Sequence, residues 1–192
     1  NICTFLGLFD IIASRWSKME QINNVMDLMN LLDSVEYGWM DMDKNTYVNT
    51  EKGFKKKFVL QKPEDVLTSK VGTCYDQVEL ERAVFKELGL KFNTYFMVYY
   101  DAKKLFTHTF AVYEENEKFY WFEHAWEENK GIHEYLSLYD LLKDVKSIFE
   151  KNKKLKNIDL DYLCIYKYKK PKFHIGLKDF YKHCENGENV LI

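Results

Sequence analysis

Apolar residues recur at Ile22, Val25, Met26, Met29 and Leu32. That is the 3.6-residue period of an amphipathic helix, and it predicts one over residues 19–35. Tyr37-Gly38-Trp39 follows, with Gly38 expected as the cap that ends this helix. Residues 40–57 are polar and mixed and predict a loop or an irregular hairpin. Pro63-Glu64-Asp65-Val66-Leu67 reads as a short helix, with proline and two acids in its first turn. From Cys74 to Leu88 the pattern is helical again, with Val78, Ala83, Val84, Phe85 and Leu88 on a broad apolar face and Gly89 closing it.

The period then changes. Residues 92–100 are aromatic and β-branched and predict a strand. Residues 105–113 predict a second strand and residues 118–124 a third, with Glu114–Glu117 as the turn between them. A helix over 135–149, a polar connection over 152–161, a fourth strand over 162–168 and a short helix over 177–183 complete the chain. Helices first, then one helix followed by a run of strands, define an α+β protein: an antiparallel sheet packed on a central helix. Residues 19–192 form one domain. Residues 1–18 read either as an added leader or upstream extension, or as a docking helix burying Phe5, Leu8, Ile12 and Trp16.

Composition narrows the function. Hydrophobic residues at 46% of 192 can form a sizeable core. A net charge of −2 offers no basic excess for a phosphate backbone, which argues against nucleic acid. The apolar stretch of residues 2–13 is too short to span a bilayer and contains Asp10. Four cysteines, Cys3, Cys74, Cys164 and Cys184, are widely spaced with no CxxC pair, so neither a disulfide framework nor a zinc knuckle is indicated. A reducing, cytoplasmic compartment fits that usage. Cys164 is expected in the core and Cys184 at the surface. His124 and His133, with Glu127, Glu128 and Glu134 nearby, are too loosely spaced to predict a metal, and no cofactor is expected.

Cys74 carries the chemical interest. It follows a glycine turn and opens a helix, where unpaired N–H groups and the helix dipole favour a thiolate and can hold a developing oxyanion. A thiol nucleophile needs an imidazole base and a group to orient it. His108 lies mid-strand and Glu123 near the end of the next strand. With a four-residue turn, Tyr113 faces Lys118 and His108 falls directly opposite Glu123, within reach of a hydrogen bond. A three-residue turn would oppose His108 to His124 instead. Tyr37, Trp39 and Gln77 are candidates for a second oxyanion donor. Asp76, Glu79 and Glu81 with Arg82 read as a solvated polar face of the helix.

The stretch PEDVLTSKVGTCYDQVELERAVFKELGL, then FNTYFMVYY, then HTFAVYEENEKFYWFEHAW resembles the core of the transglutaminase-like superfamily over residues 60–126. In that family a Gly-x-Cys turn opens a helix ending in a Leu-Gly-Leu type sequence, followed by a strand, a His on the next strand and an acidic residue after an aromatic-rich strand. Cys74, His108 and Glu123 occupy those places, with Glu where Asp is the commoner residue. The resemblance implies a papain-like arrangement. It also implies cysteine-dependent acyl chemistry on a glutamine side chain or peptide amide, through a thioester passed to water or an amine. It makes a protein or peptide the substrate. A second reading keeps the fold and makes it a catalytically silent binding module. A third, an arylamine N-acetyltransferase-like enzyme, lacks the arginine- and glycine-rich approach to the cysteine.

Overall fold

The computed structural model describes residues 22–101, 104–151 and 162–192. The expectations for residues 1–18 and 152–161 lie outside these. Helix α1, Val25–Leu32, starts at Asn24, whose side-chain oxygen accepts from the backbone N–H groups of Met26 (2.9 Å) and Asp27 (3.0 Å). It ends at Asp33, earlier than expected. Gly38 is not its cap. It sits inside strand β1, Glu36–Met40, which pairs antiparallel with β2, Thr46–Val48, and parallel with the two-residue β3, Val71–Gly72. A Cβ at Gly38 would lie 2.5 Å from the carbonyl oxygen of Tyr47 and 2.7 Å from Val71 Cγ1, so this glycine is required by close strand packing. A short α2, Phe54–Lys57, and then α3, Pro63–Ser69, lead to β3.

The central helix α4 runs Cys74–Glu87, and Gly89, at φ 70°, turns the chain out of it. Strands β4 (Lys91–Tyr100), β5 (Leu105–Glu115), β6 (Lys118–Glu123), β7 (Gly131–Tyr135), β8 (Leu163–Tyr168) and β9 (Glu188–Asn189) form one antiparallel sheet in the order β7-β6-β5-β4-β8-β9. Helices α5, Leu138–Lys151, and α6, Leu177–Glu185, complete the α+β fold. The β7 strand was not legible as one, because its five residues carry no clean alternation and merge with the helical pattern after Tyr135.

Both faces of the sheet are covered, which accounts for the aromatic runs in β4–β6. Tyr95, Met97, Phe110, Val112 and Trp121 pack with Leu141, Leu142, Val145 and Phe149 of α5. On the other face Ala111, Tyr113 and Phe122 meet Leu80, Val84 and Phe85 of α4, with α1 and α3 behind. Cys184, expected at the surface, is fully buried where α6 docks beside Phe180, and burial pushes its thiol pKa upward. Cys164 is only half-buried.

Candidate active site

The helix that bears Cys74 is tied down at its first turn. Asp76 accepts from the backbone N–H of Thr73 (2.9 Å), the Thr73 hydroxyl (2.8 Å) and the backbone N–H of Gln61 (2.8 Å). Burial raises the Asp76 carboxyl to about 6 despite these bonds. Asp76, Glu79 and Glu81 are therefore not a solvated face: all three are buried. Glu79 is paired with Arg82 (2.9 Å), whose guanidinium lies 5.1 Å from the centre of the Tyr168 ring. The apolar period of α4 is too broken to have signalled this. The three carboxyls are covered by elements remote in sequence.

Glu81 differs from the other two, because its Oε2 has no hydrogen-bond partner. Burial first, and then the charge of Glu123, hold its carboxyl well above the usual carboxylate range. The folded protein thus keeps a proton on Glu81 that the unfolded chain releases above pH 4.5, and stability falls as pH rises through that range. Glu81→Met is expected to stabilise the protein at pH 7 by about 1 kcal/mol or more. The gain should vanish as pH falls below 4.5. Denaturant melts at the two pH values measure it, and equal stability of both proteins at pH 7 would remove the argument.

The β5–β6 turn has two residues, not four. Asn116 (φ 50°) and Glu117 (φ 61°) form it, and Glu115 rather than Tyr113 faces Lys118. Glu114 is drawn into the strand by Lys91 across the sheet (2.5 Å). The register is displaced by two residues, which preserves the faces because side chains alternate with period two. His108 and Glu123 are diagonal rather than directly opposed, yet share the face of Phe110 and Trp121. The His108 Nε2–H donates to Glu123 Oε2 at 2.7 Å. Glu123 Oε1 accepts from the Trp126 backbone N–H at 2.8 Å, and the Trp126 ring stands edge-on to the imidazole at 5.4 Å.

The last paired residues of the β5–β6 ladder are Ala111 and Phe122, so β6 leaves the edge of β5 uncovered around His108. The start of α4 meets β5 there, and the Cys74 thiol interacts with the imidazole. Cys74, His108 and Glu123 are all buried, at 3%, 8% and 2% exposure. Burial disfavours the imidazolium, but the Glu123 carboxylate and the Cys74 contact outweigh it and push His108 up to about 10. His108 is therefore charged at neutral pH. Its Nε2 is taken by Glu123, which leaves Nδ1 for the sulfur.

The three oxyanion candidates separate clearly. Trp39 spends its indole N–H on the Thr50 carbonyl (2.8 Å) and stacks on Tyr47. Gln77 donates to the Gly72 carbonyl (3.2 Å) and accepts from His124 Nδ1 (2.8 Å), fastening α4 to β3 and to the end of β6. Only Tyr37 reaches Cys74: its hydroxyl contacts both the thiol and the backbone N–H. The negative charge that Cys74 carries when ionised disfavours a phenolate beside it and holds the phenol well above its usual pKa, so it remains a donor. Tyr37 also lines a cleft of about 540 Å³ with Phe106, Thr107, His108, Trp126 and Phe149.

His124 also bonds Asp33 (3.2 Å), and His133 donates to the Asn129 carbonyl (2.8 Å). Among the described residues no group of three His, Cys, Asp or Glu could hold a metal ion, and no helix is long and apolar enough to cross a membrane. The sequence matches no protein-family model and no curated protein.

Proposed function

We propose that this protein is a cysteine-dependent acyltransferase or hydrolase with a transglutaminase-like, papain-like core, acting on glutamine side chains or peptide amides. The observation that carries the reading is the convergence of Cys74, His108 and Glu123 from a helix start and two adjacent strands. In this mechanism the imidazolium of His108 holds the Cys74 thiolate, and Glu123 fixes the ring. The thiolate attacks the amide carbonyl. The resulting oxyanion takes the Cys74 backbone N–H and the Tyr37 hydroxyl. His108 gives its proton to the departing nitrogen, leaving a thioester on Cys74. Water or an amine then attacks the thioester, with neutral His108 accepting its proton.

A silent binding module on the same core is the competing reading, favoured by the burial of Cys74. Alkylation separates the two. Cys74 is 3% exposed and Cys164 is half-buried, so access alone favours Cys164. An activated Cys74 is expected to react with iodoacetamide at pH 6 roughly tenfold faster than Cys164 despite its burial. Peptide mapping after brief labelling measures the ratio, and faster labelling at Cys164 would favour the binding module.

A further inference from the structure

The contact between Cys74 and His108 joins two elements that no covalent link holds together, so something must set their spacing. The residues beside them carry hydroxyls that meet. Tyr75 follows Cys74, Thr107 precedes His108, and their side-chain oxygens share a hydrogen bond. A third hydroxyl, that of Tyr181 on α6, lies 2.8 Å from the Tyr75 oxygen and 3.2 Å from the Thr107 oxygen. Each hydroxyl has one proton to give and lone pairs to accept. Three hydroxyls with three mutual contacts close a ring in which each donates once and accepts once. Such a ring is self-satisfied, and its bonds strengthen one another.

The supports of the ring are buried aromatic contacts. Tyr75 is buried, and its ring packs on Phe180 at 5.0 Å. Phe180 is fully buried, and Tyr181 lies 5.4 Å from Phe96 on β4. Burial raises the phenol pKa of both Tyr75 and Tyr181, so the ring keeps its protons through the physiological range.

We propose that Thr107, Tyr75 and Tyr181 are positioning residues: their hydroxyl ring clamps β5 to the start of α4 one residue from each reacting group, with α6 as the third support. Docking of α6 thereby sets how well His108 activates Cys74. The inference rests on the Cys74–His108 reading above. It goes beyond that reading by assigning a role to three residues outside the Cys74, His108 and Glu123 triad, of which Thr107 also lines the cleft.

Thr107→Val keeps the shape and removes one hydroxyl. Tyr75 and Tyr181 can still bond each other, so the fold is expected to persist, with thermal melting as the check. The rate of Cys74 alkylation by iodoacetamide, followed from pH 5 to 10, is the readout. Wild type should retain its reactivity at low pH through the imidazolium. Thr107→Val should lose roughly tenfold at pH 6, since small misplacements cost up to about 10², and should recover as pH rises and the thiol ionises unaided. Thr107→Ser should restore the wild-type profile, and Tyr181→Phe should reproduce the loss in part. Superimposable profiles for wild type and Thr107→Val, or failure of Thr107→Ser to rescue, would overturn the clamp. His108→Gln separates this from the parent reading: if it too leaves the profile unchanged, the pairing of Cys74 with His108 is wrong. If only the Thr107 variants do, the clamp alone is wrong.

Discussion

Cys74→Ala is expected to abolish both amide hydrolysis and amine incorporation, and His108→Gln to reduce them by about 10³-fold or more. The asymmetry follows from the roles. Without the sulfur no thioester forms. Without the imidazole the thiol can still ionise in a small fraction of molecules, and the oxyanion donors at Cys74 and Tyr37 still act. A panel of glutamine-containing and peptide substrates, assayed with and without a primary amine, measures both losses. Cys74 is buried and its thiol meets His108 and Tyr37, so thermal melts of Cys74→Ala and of the closer match Cys74→Ser are the check that the loss is one of chemistry and not of folding. Equal turnover by wild type and Cys74→Ala on every substrate would leave the fold without the enzyme.

Glu123→Ala is expected to lower stability by about 3–5 kcal/mol, because it strands a buried cation and removes the acceptor of the part-buried Trp126 N–H. At roughly 2–4 °C per kcal/mol for a domain of this size, the melting temperature should fall by about 10 °C. Glu123 is 2% exposed, bonds His108 at 2.7 Å and accepts from the Trp126 backbone at 2.8 Å, so water cannot readily replace it. Glu123→Gln keeps an acceptor and the shape, and should lose less. Its deficit should depend on pH in a defined direction. The folded His108 pKa, about 10, is raised above the unfolded value of 6.5. The stabilisation it contributes is therefore complete below pH 6.5 and is lost as pH rises through 10. The gap between wild type and Glu123→Gln should be widest near pH 6 and close toward pH 10. Melting curves at a series of pH values test this, and a gap that widened with pH would reverse the charge assignment of the pair.

Much of the site was legible because it depends on local chemistry. A cysteine after a Gly-Thr turn and an apolar run ending at Gly89 define a helix that any fold must respect, whereas the capping role of Asp76, read as part of a solvated face, came only from the structure. The face shared by His108 and Glu123 survived an error in turn length, since a displacement of two residues leaves strand alternation intact. The burial of Glu79 and Glu81 was not legible. Their neighbours come from β4, β5, β6 and β8, and a carboxyl gives no sign in sequence that distant strands will cover it. Gly38 misled for a related reason: a glycine before an aromatic suits a helix cap and a crowded strand equally, and only the positions of Tyr47 and Val71 decide between them.

From the sequence alone came the α+β class, the helix that opens at Cys74 and the strands that bear His108 and Glu123, because periodicity and capping act over a few residues. The tertiary structure alone decided that β6 stops short and opens the edge of β5 to the helix start. It also decided that Tyr37 rather than Trp39 or Gln77 reaches the sulfur, and that α6 closes the hydroxyl ring beside them. Those outcomes turn on which surfaces meet across the fold, and contacts between remote segments are set by the packing of the whole core rather than by the pattern of any one segment.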